Sequence, residues 1–278
     1  MSTLERIFQD DHFIVSELDG CNIEALICCE VPETKEVAII YLKVENHLWC
    51  SFFLDVGFGV WSHCGEIEED DSYTYRNFMQ EHDLAHKTIT HIRCEPLQNH
   101  AQIIIELGDH ERVVLRPKDP QDYDSACELV KLDKVWSVFD YWDMTILSGI
   151  AQYGDKRVYF ENSFDAQEAN FSEEYFLTEL TPDIFDKALE NWAYWLDWLK
   201  KHSIEHPVEY AKKRKLQSYI SLVGKYDQTA LENAEKYYQN ELLIQHFIHQ
   251  QTDKLRLKGI FEGDIRGIDA TFVQWQRL

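Results

Sequence analysis

Basic residues are scarce in this chain: 27 Lys and Arg stand against 50 Asp and Glu among 278 residues, a net charge of −23. A field of that sign repels nucleic acid and anionic lipid, so neither is expected as a partner. Glycine (11) and proline (6) are also few, and no Ser-rich or Pro-rich stretch provides a long flexible linker, so two domains, if present, would pack closely. No window reaches the roughly 18 apolar residues that a membrane helix needs. The opening MSTLERIFQDDHF lacks the basic cluster and apolar run of a secretory signal, and the expected location is cytoplasmic. The seven cysteines (Cys21, Cys28, Cys29, Cys50, Cys64, Cys94 and Cys127) are odd in number and form no C-x-x-C pair, which points to reduced, mostly buried thiols. G-x-S-x-G, Walker and dinucleotide-binding motifs are missing, and no cofactor is expected.

What the chain does have is a core's worth of apolar residues, 45% hydrophobic and 13% aromatic, and an uneven charge. Residues 1–130 carry −17, residues 131–210 carry −9 and residues 211–278 carry +3. The first third reads as an antiparallel meander. His12 to Leu18 and Ile23 to Glu30 flank the Asp19-Gly20 turn signal, and Glu36 to Val44 follows Pro32. Trp49 to Trp61, broken by Gly57 and Gly59, reads as a packed turn, and Tyr73 to His86 as a helix. Three strands follow, with a Gly108-Asp109 turn between the last two, and Asp122 to Lys131 reads as a short closing helix. A second unit opens with a hairpin around Gly154-Asp155. It continues with a helix from Thr181-Pro182-Asp183 to about Lys201, a basic amphipathic helix over Val208 to Val223, and a third helix from the capping box at Thr229 and Glu232 to about Gln250. Lys254 to Phe261 and Ile268 to Trp275 form a closing hairpin. The expected class is α+β, with antiparallel sheets in both halves and helices concentrated at 181–250. The expected domains are an acidic β-rich unit, 1–132, and an α+β unit, 133–278, made of a hairpin, three helices and a closing hairpin.

Three segments carry candidate chemistry. The acidic run Glu66, Glu68, Glu69, Asp70 and Asp71 follows the aromatic stretch that includes Phe58 and ends at Trp61, and it precedes Tyr73. Carboxylates that steer beside aromatics that anchor suit a basic protein partner, although a solvated loop has the same composition. In His82-Asp83-Leu84-Ala85-His86 the histidines would share one helical face, as in a zinc hydrolase motif. Aspartate replaces the catalytic glutamate there and is one methylene shorter, and His91 and Cys94 follow closely. Asp140 and Asp143 offer paired carboxylates, but on a strand they would point to opposite faces, poor geometry for a glycosidase pair. The cationic run Lys212 to Lys215 reads as the wet face of a helix.

The stretch VFDYWDMTILSGIAQYGDKRVYFEN, with FLTEL at 176–180, LENWAYW at 189–195 and His206-Pro207, resembles an uncharacterised bacterial family patterned D-Y-[YW]-D-G-P-x-S-G-x-A and L-E-D-W-x-I-W. The likeness runs from residue 135 onward. Here the family's D-G-P is Asp143-Met144-Thr145 and its L-E-D-W is Leu189-Glu190-Asn191-Trp192. More loosely, the acidic character and mixed architecture resemble immunity proteins of interbacterial toxin systems, of the type VI secretion or contact-dependent kind. That resemblance implies a non-enzymatic role: binding a cognate basic toxin domain and occluding its active site. A metal-dependent hydrolase built on His82 and His86, and an acidic adaptor protein, are the alternatives.

Overall fold

Short polar turns between runs of alternating apolar residues make this chain predominantly strand. The computed structural model describes residues 8–108, 110–122, 124–142, 145–165, 170–202, 228–263 and 271–278. Two compact units are present, Met1–Asp133 and Lys134–Leu278. The boundary falls within one sixteen-residue strand, β11 (Cys127–Trp142), whose first half pairs in one unit and whose second half pairs in the other.

In the first unit β1 (Phe8–Asp10), β3 (Ile23–Glu30), β4 (Val37–Val44), β5 (Trp49–Asp55), β6 (Phe58–Cys64) and β7 (Thr74–Asn77) form a six-stranded antiparallel sheet, ordered β1-β6-β5-β4-β3-β7. A second layer consists of β2 (Phe13–Ile14), β8 (Ile89–Leu97), β9 (His100–Leu107), β10 (Glu111–Pro117) and the first half of β11. Alternation along the strands sends one set of side chains from each layer into a shared core. Leu26, Ile40, Leu42 and Phe52 come from the first, and Ile92, Ile103, Ile105, Val113 and Leu115 from the second. The layers touch closely at Gly59, where an added Cβ would lie 2.4 Å from the Cys94 sulfur. A 3-10 turn at Ser16–Leu18 and a one-turn helix, α1 (Phe78–Glu81), close the ends of this sandwich with Leu18 and Phe78.

The second unit is built from the remainder of β11 with β12 (Thr145–Tyr153), β13 (Lys156–Asp165), β14 (Asn170–Glu179), β15 (Leu255–Glu262) and β16 (Thr271–Arg277). Each strand pairs antiparallel with the next, and β16 returns to β11, so the six strands close on themselves. Register shifts in β11 at Val135/Ser137 and Val138/Asp140 are bulges, which bend a strand as closure requires. Inside lie Val138, Val158, Leu177, Val273 and an aromatic cluster of Phe160, Tyr175, Phe261 and Trp275, with ring centroids 5.2 to 6.1 Å apart. Their polar ends are satisfied: Tyr175 Oη donates to the Ile146 carbonyl at 2.8 Å and Trp275 Nε1 to that of Gln152 at 2.9 Å. Gly149 makes room for this packing, because a Cβ there would sit 2.1 Å from the Ser137 carbonyl oxygen and 2.7 Å from the Phe160 ring.

Two helices cover the outer face of β12 and β13. The first, α2 (Pro182–His202), starts where Thr181 accepts the Phe185 amide, with proline in the first turn where its missing N–H costs nothing. The second, α3, spans Gln228–Gln250. Phe185 and Ala188 of α2 and Ile244 and Ile248 of α3 pack with Ile150 and Tyr159, which project outward while their neighbours Ala151, Val158 and Phe160 project inward.

Three sequence expectations need correction. Trp49 to Trp61 is the β5–β6 hairpin, turned at Val56 and Gly57 with both residues at positive φ. Tyr73 to His86 is an edge strand and a single helical turn: Thr74 to Asn77 pair with β3, and Asp83 (φ 52°) and His86 (φ 61°) hold left-handed conformations that a helix cannot continue through. Asp122 to Lys131 enters β11, whose residues Leu129 to Asp133 are buried on both faces and so lack the alternation of a half-exposed strand. The class is correspondingly more β than expected, with antiparallel sheets in both units and the long described helices confined to the second. The helix expected over Val208 to Val223 lies outside the described residues.

Substituting Gly149→Ala forces its methyl group against backbone and should destabilise the protein by about 3 kcal/mol, the range of overpacked cores. Gly65→Ala, where nothing lies within 4 Å, should be neutral. Urea midpoints of the two variants check the difference; equal midpoints would contradict the packing at Gly149.

Candidate functional site

The acidic run occupies the connection from β6 to β7. Its start, after Cys64, and its end, before Thr74, lie at opposite ends of the six-stranded sheet: Cys64 pairs with Trp49 at one end, and Thr74 pairs with Glu30 at the other. The loop is held in place by local bonds. Tyr75 Oη accepts the Asp70 amide at 3.0 Å and donates to the Glu68 carbonyl, and the Asp70 carboxylate accepts the Ser72 amide at 2.8 Å and its hydroxyl at 2.5 Å. Those Ser72 bonds hold the Asp70 carboxyl below the usual carboxylate range. Glu66, Glu68, Glu69, Asp70 and Asp71 are all exposed, and none of the five lies within ion-pair reach of a cation among the described residues.

Of the aromatics expected beside them, Tyr73 is 37% exposed at the end of the loop. Trp61 is not at the surface: it is 6% exposed and stacks on Phe52 inside the sandwich, with centroids 6.2 Å apart. Phe58 is exposed at the hairpin end of β6, remote along the strand from Cys64, where the loop begins. The arrangement presents carboxylates held on a tyrosine-anchored frame, with one aromatic ring.

The described arginines of this unit, with Lys87 and Lys131, are paired with other carboxylates. Arg76 binds Glu30 through Nε and Nη2 and reaches Glu81 through Nη1. Arg93 and Arg112 share Glu106 at 2.7 and 2.8 Å, and Arg116 meets Glu128 at 2.9 Å. At one end of the sandwich Lys131 is buried between Glu111 (2.9 Å) and Asp133 (2.5 Å), and Lys87 holds the second Glu111 oxygen at 2.7 Å. Burial pushes the Asp133 carboxyl up to about 6 even beside Lys131. Raised in this way, Asp133 stabilises the fold at low pH and loses that contribution as pH rises through about 6.

The zinc-motif geometry is not present. His82 follows a single helical turn and lies against the Phe78 ring, 4.2 Å between centroids, while His86 is exposed in a left-handed turn. Burial, with Lys131 and Arg76 nearby, pushes His82 down to about 4. Among the described residues no three His, Cys, Asp or Glu side chains are placed to hold a metal ion. Asp143 lies outside the described residues, and Asp140 of β11 pairs through its backbone with Ser148 of β12.

One relay that the sequence did not reveal looks like a nucleophile triad. Cys50 Sγ lies 3.4 Å from His63 Nδ1, and His63 Nε2 lies 2.6 Å from Glu17. Cys50 and His63 are cross-strand neighbours, so the signal is a β5–β6 register that a packed turn would not have predicted. The thiol, however, has no exposed surface, and burial first of all, then Glu17 and Cys64, pushes it up to about 12. A nucleophile needs access and a lowered pKa, so this relay ties the sandwich end together.

No family model matches the chain, and no solved structure matches it. Among curated proteins, UvrABC system protein C of Clostridium botulinum (strain Loch Maree / Type A3) is 25% identical over 214 residues, covering 70% of this chain and 33% of that protein. The chain thus spans about a third of that relative's length. No helix among the described residues is long and apolar enough to cross a membrane.

The depressed His82 has a definite consequence for acid stability. Its contribution is intact above the unfolded value near 6.5 and is lost as pH falls from there through about 4. His82→Gln should flatten the fall in stability across that window by about 2 kcal/mol relative to the parent. Urea titrations at pH 7, 5.5 and 4 (roughly spanning the histidine range) measure it; parallel pH profiles for the two proteins would show that His82 is not the titrating group.

Proposed function

We propose that this chain is a binding protein of the immunity type, which docks a basic toxin domain and occludes its active site. One observation supports this reading above the others. Met1–Asp133 carries 27 acidic against 10 basic residues, its described arginines are paired internally, and the acidic loop 66–71 is left exposed without cations. Such a surface raises the encounter rate with a cationic domain and disfavours nucleic acid and anionic membranes.

In this reading Glu66, Glu68, Glu69, Asp70 and Asp71 steer the approach. Tyr73 serves as the anchor, while Trp61 supports the strand from beneath. Inhibition is by steric exclusion, with residence time set by a few buried contacts rather than by the steering charges. The loose resemblance to immunity proteins and to an uncharacterised bacterial family from residue 135 onward belongs to the same proposal, as does a cytoplasmic place of action. The hydrolase alternative calls for His82 and His86 on one helical face, whereas the helix ends at Glu81 and His86 sits at positive φ; an adaptor role differs only in what is bound.

The test uses the product of the neighbouring gene, because a toxin and its immunity protein are encoded side by side in such systems. Simultaneous replacement of Glu66, Glu68, Glu69 and Asp71 by lysine should slow association at least about tenfold and flatten its dependence on salt, leaving the urea midpoint unchanged. Unaltered association kinetics would remove the loop from the mechanism, and a toxin active site that stays open in the complex would remove occlusion.

A further inference from the structure

The connection that carries the acidic run has three strands to pass, because β5, β4 and β3 lie between β6 and β7 in the sheet. Alternation fixes the two faces of that sheet. Cys28, Leu42 and Phe52 enter the core, so Cys29, Tyr41 and Ser51 point away from it. Tyr75 shares this outer face, since it stands opposite Cys29 in the β3–β7 register. Cys29 is nevertheless only 2% exposed. A side chain turned away from the core and still buried has a cover of another kind.

The acidic loop supplies it. Tyr75 Oη accepts the Asp70 amide at 3.0 Å and donates to the Glu68 carbonyl, and the Cys29 thiol is hydrogen-bonded to the same hydroxyl. Burial pushes the Cys29 thiol up, the Tyr75 bond opposes that rise, and Asp70 adds to it. Burial first, then Cys29, Tyr75, Cys64 and Glu68, pushes the Tyr41 phenol up to about 12, so the loop lies near this ring as well. Ile67, the one apolar residue of the run, is half-buried. Against these few contacts stand the carboxylates of Glu66, Glu68, Glu69, Asp70 and Asp71, with no cation in ion-pair reach among the described residues.

We infer that residues 65–73 form a hinged strap over Cys29 and Tyr41, latched by the Tyr75 hydroxyl and opened by the mutual repulsion of its own carboxylates. Like charges a few ångströms apart repel one another, and an open strap spreads them. Salt screens that repulsion, so low ionic strength favours the open form and high ionic strength the closed one. The latch consists of two neutral hydrogen bonds to main-chain groups, and losing both corresponds to at least about a tenfold shift toward opening. Opening is local, because Leu26, Ile40, Leu42 and Phe52 pack on the other face of the sheet and keep their contacts. Charge on the strap is thereby linked to access to the face beneath it. The device belongs to the chain alone and stands independently of the proposed partner.

Alkylation of the full chain by N-ethylmaleimide at fixed pH tests this, with fragment-resolved mass spectrometry reading each cysteine separately. In the parent, Cys29 should react at least about threefold more slowly in 1 M than in 0.01 M sodium chloride, as the screening length shortens. The buried Cys28, Cys50 and Cys94 serve as controls and should not follow that trend. Tyr75→Phe should speed Cys29 labelling at least about tenfold without speeding the controls. Loss of the hydroxyl bond alone would act in the opposite direction, because that bond lowers the thiol's pKa. Replacing Glu66, Glu68 and Glu69 by glutamine should slow Cys29 labelling at low salt and remove its salt dependence. A Cys29 rate indifferent to salt in the parent, or one that rises only together with Cys28, Cys50 and Cys94, would overturn the proposal. The salt response is read in the parent protein, so the test does not depend on a variant folding.

Discussion

Each described arginine of the N-terminal unit lies against a carboxylate, and this pairing decides what the unit shows to solvent. Arg93, Glu106 and Arg112 form a ladder across β8, β9 and β10, on the strand face opposite the core residues Ile92, Ile105 and Val113. Lys131 and Lys87 are drawn to Glu111 at the sandwich end. A charge buried beside its counter-ion is costly to separate, so these cations are committed. With so few bases in the unit, the excess of acid must appear wherever no cation is near. The β6–β7 connection is such a place, and Tyr75 and Ser72 hold it there through hydrogen bonds rather than ion pairs.

The second unit solves a different problem. A closed six-stranded sheet is too narrow for large side chains on every inward position, so glycine and aromatics must alternate. Gly149 gives way to Phe160, and Gly259, where a Cβ would lie 2.9 Å from the Trp275 ring, gives way to the aromatic cluster. The outer face of the same strands is apolar as well, which is why α2 and α3 are needed to cover it. Where those helices meet, the buried partners are amides, Asn191 and Asn240, and that polar seam borders a cavity lined by Tyr159 and Tyr237.

Local chemistry made much of this legible. The Gly154-Asp155 turn, the Thr181-Pro182 helix start, the helix ending near Gln250 and the closing hairpin all rest on short-range rules, and the structure has β12–β13, α2, α3 and β15–β16 at those places. What failed depended on tertiary partners. Thr74 to Asn77 became a strand because the edge of β3 was unpaired, and Leu129 to Asp133 lost its alternation because both faces are buried. The acidic loop was readable from composition, but the fate of Trp61 was not: its position on the inward face of β6 follows from a hairpin register that the paired glycines disguised as a turn. Sheet closure, the Cys50–His63 contact and the Tyr237 cavity all arise from residues far apart in sequence, which no periodicity reports.

The central claim is that the uncompensated acid of the first unit is where a positively charged protein is met. Hydrogen exchange of the intact chain, measured with and without its physiological partner, tests this most directly. Slowed exchange at the amides of Asp70, Ser72 and Tyr73, diminishing as salt is raised, is the predicted outcome. A stable complex that leaves those amides untouched, or a partner as acidic as the chain itself, would contradict the account.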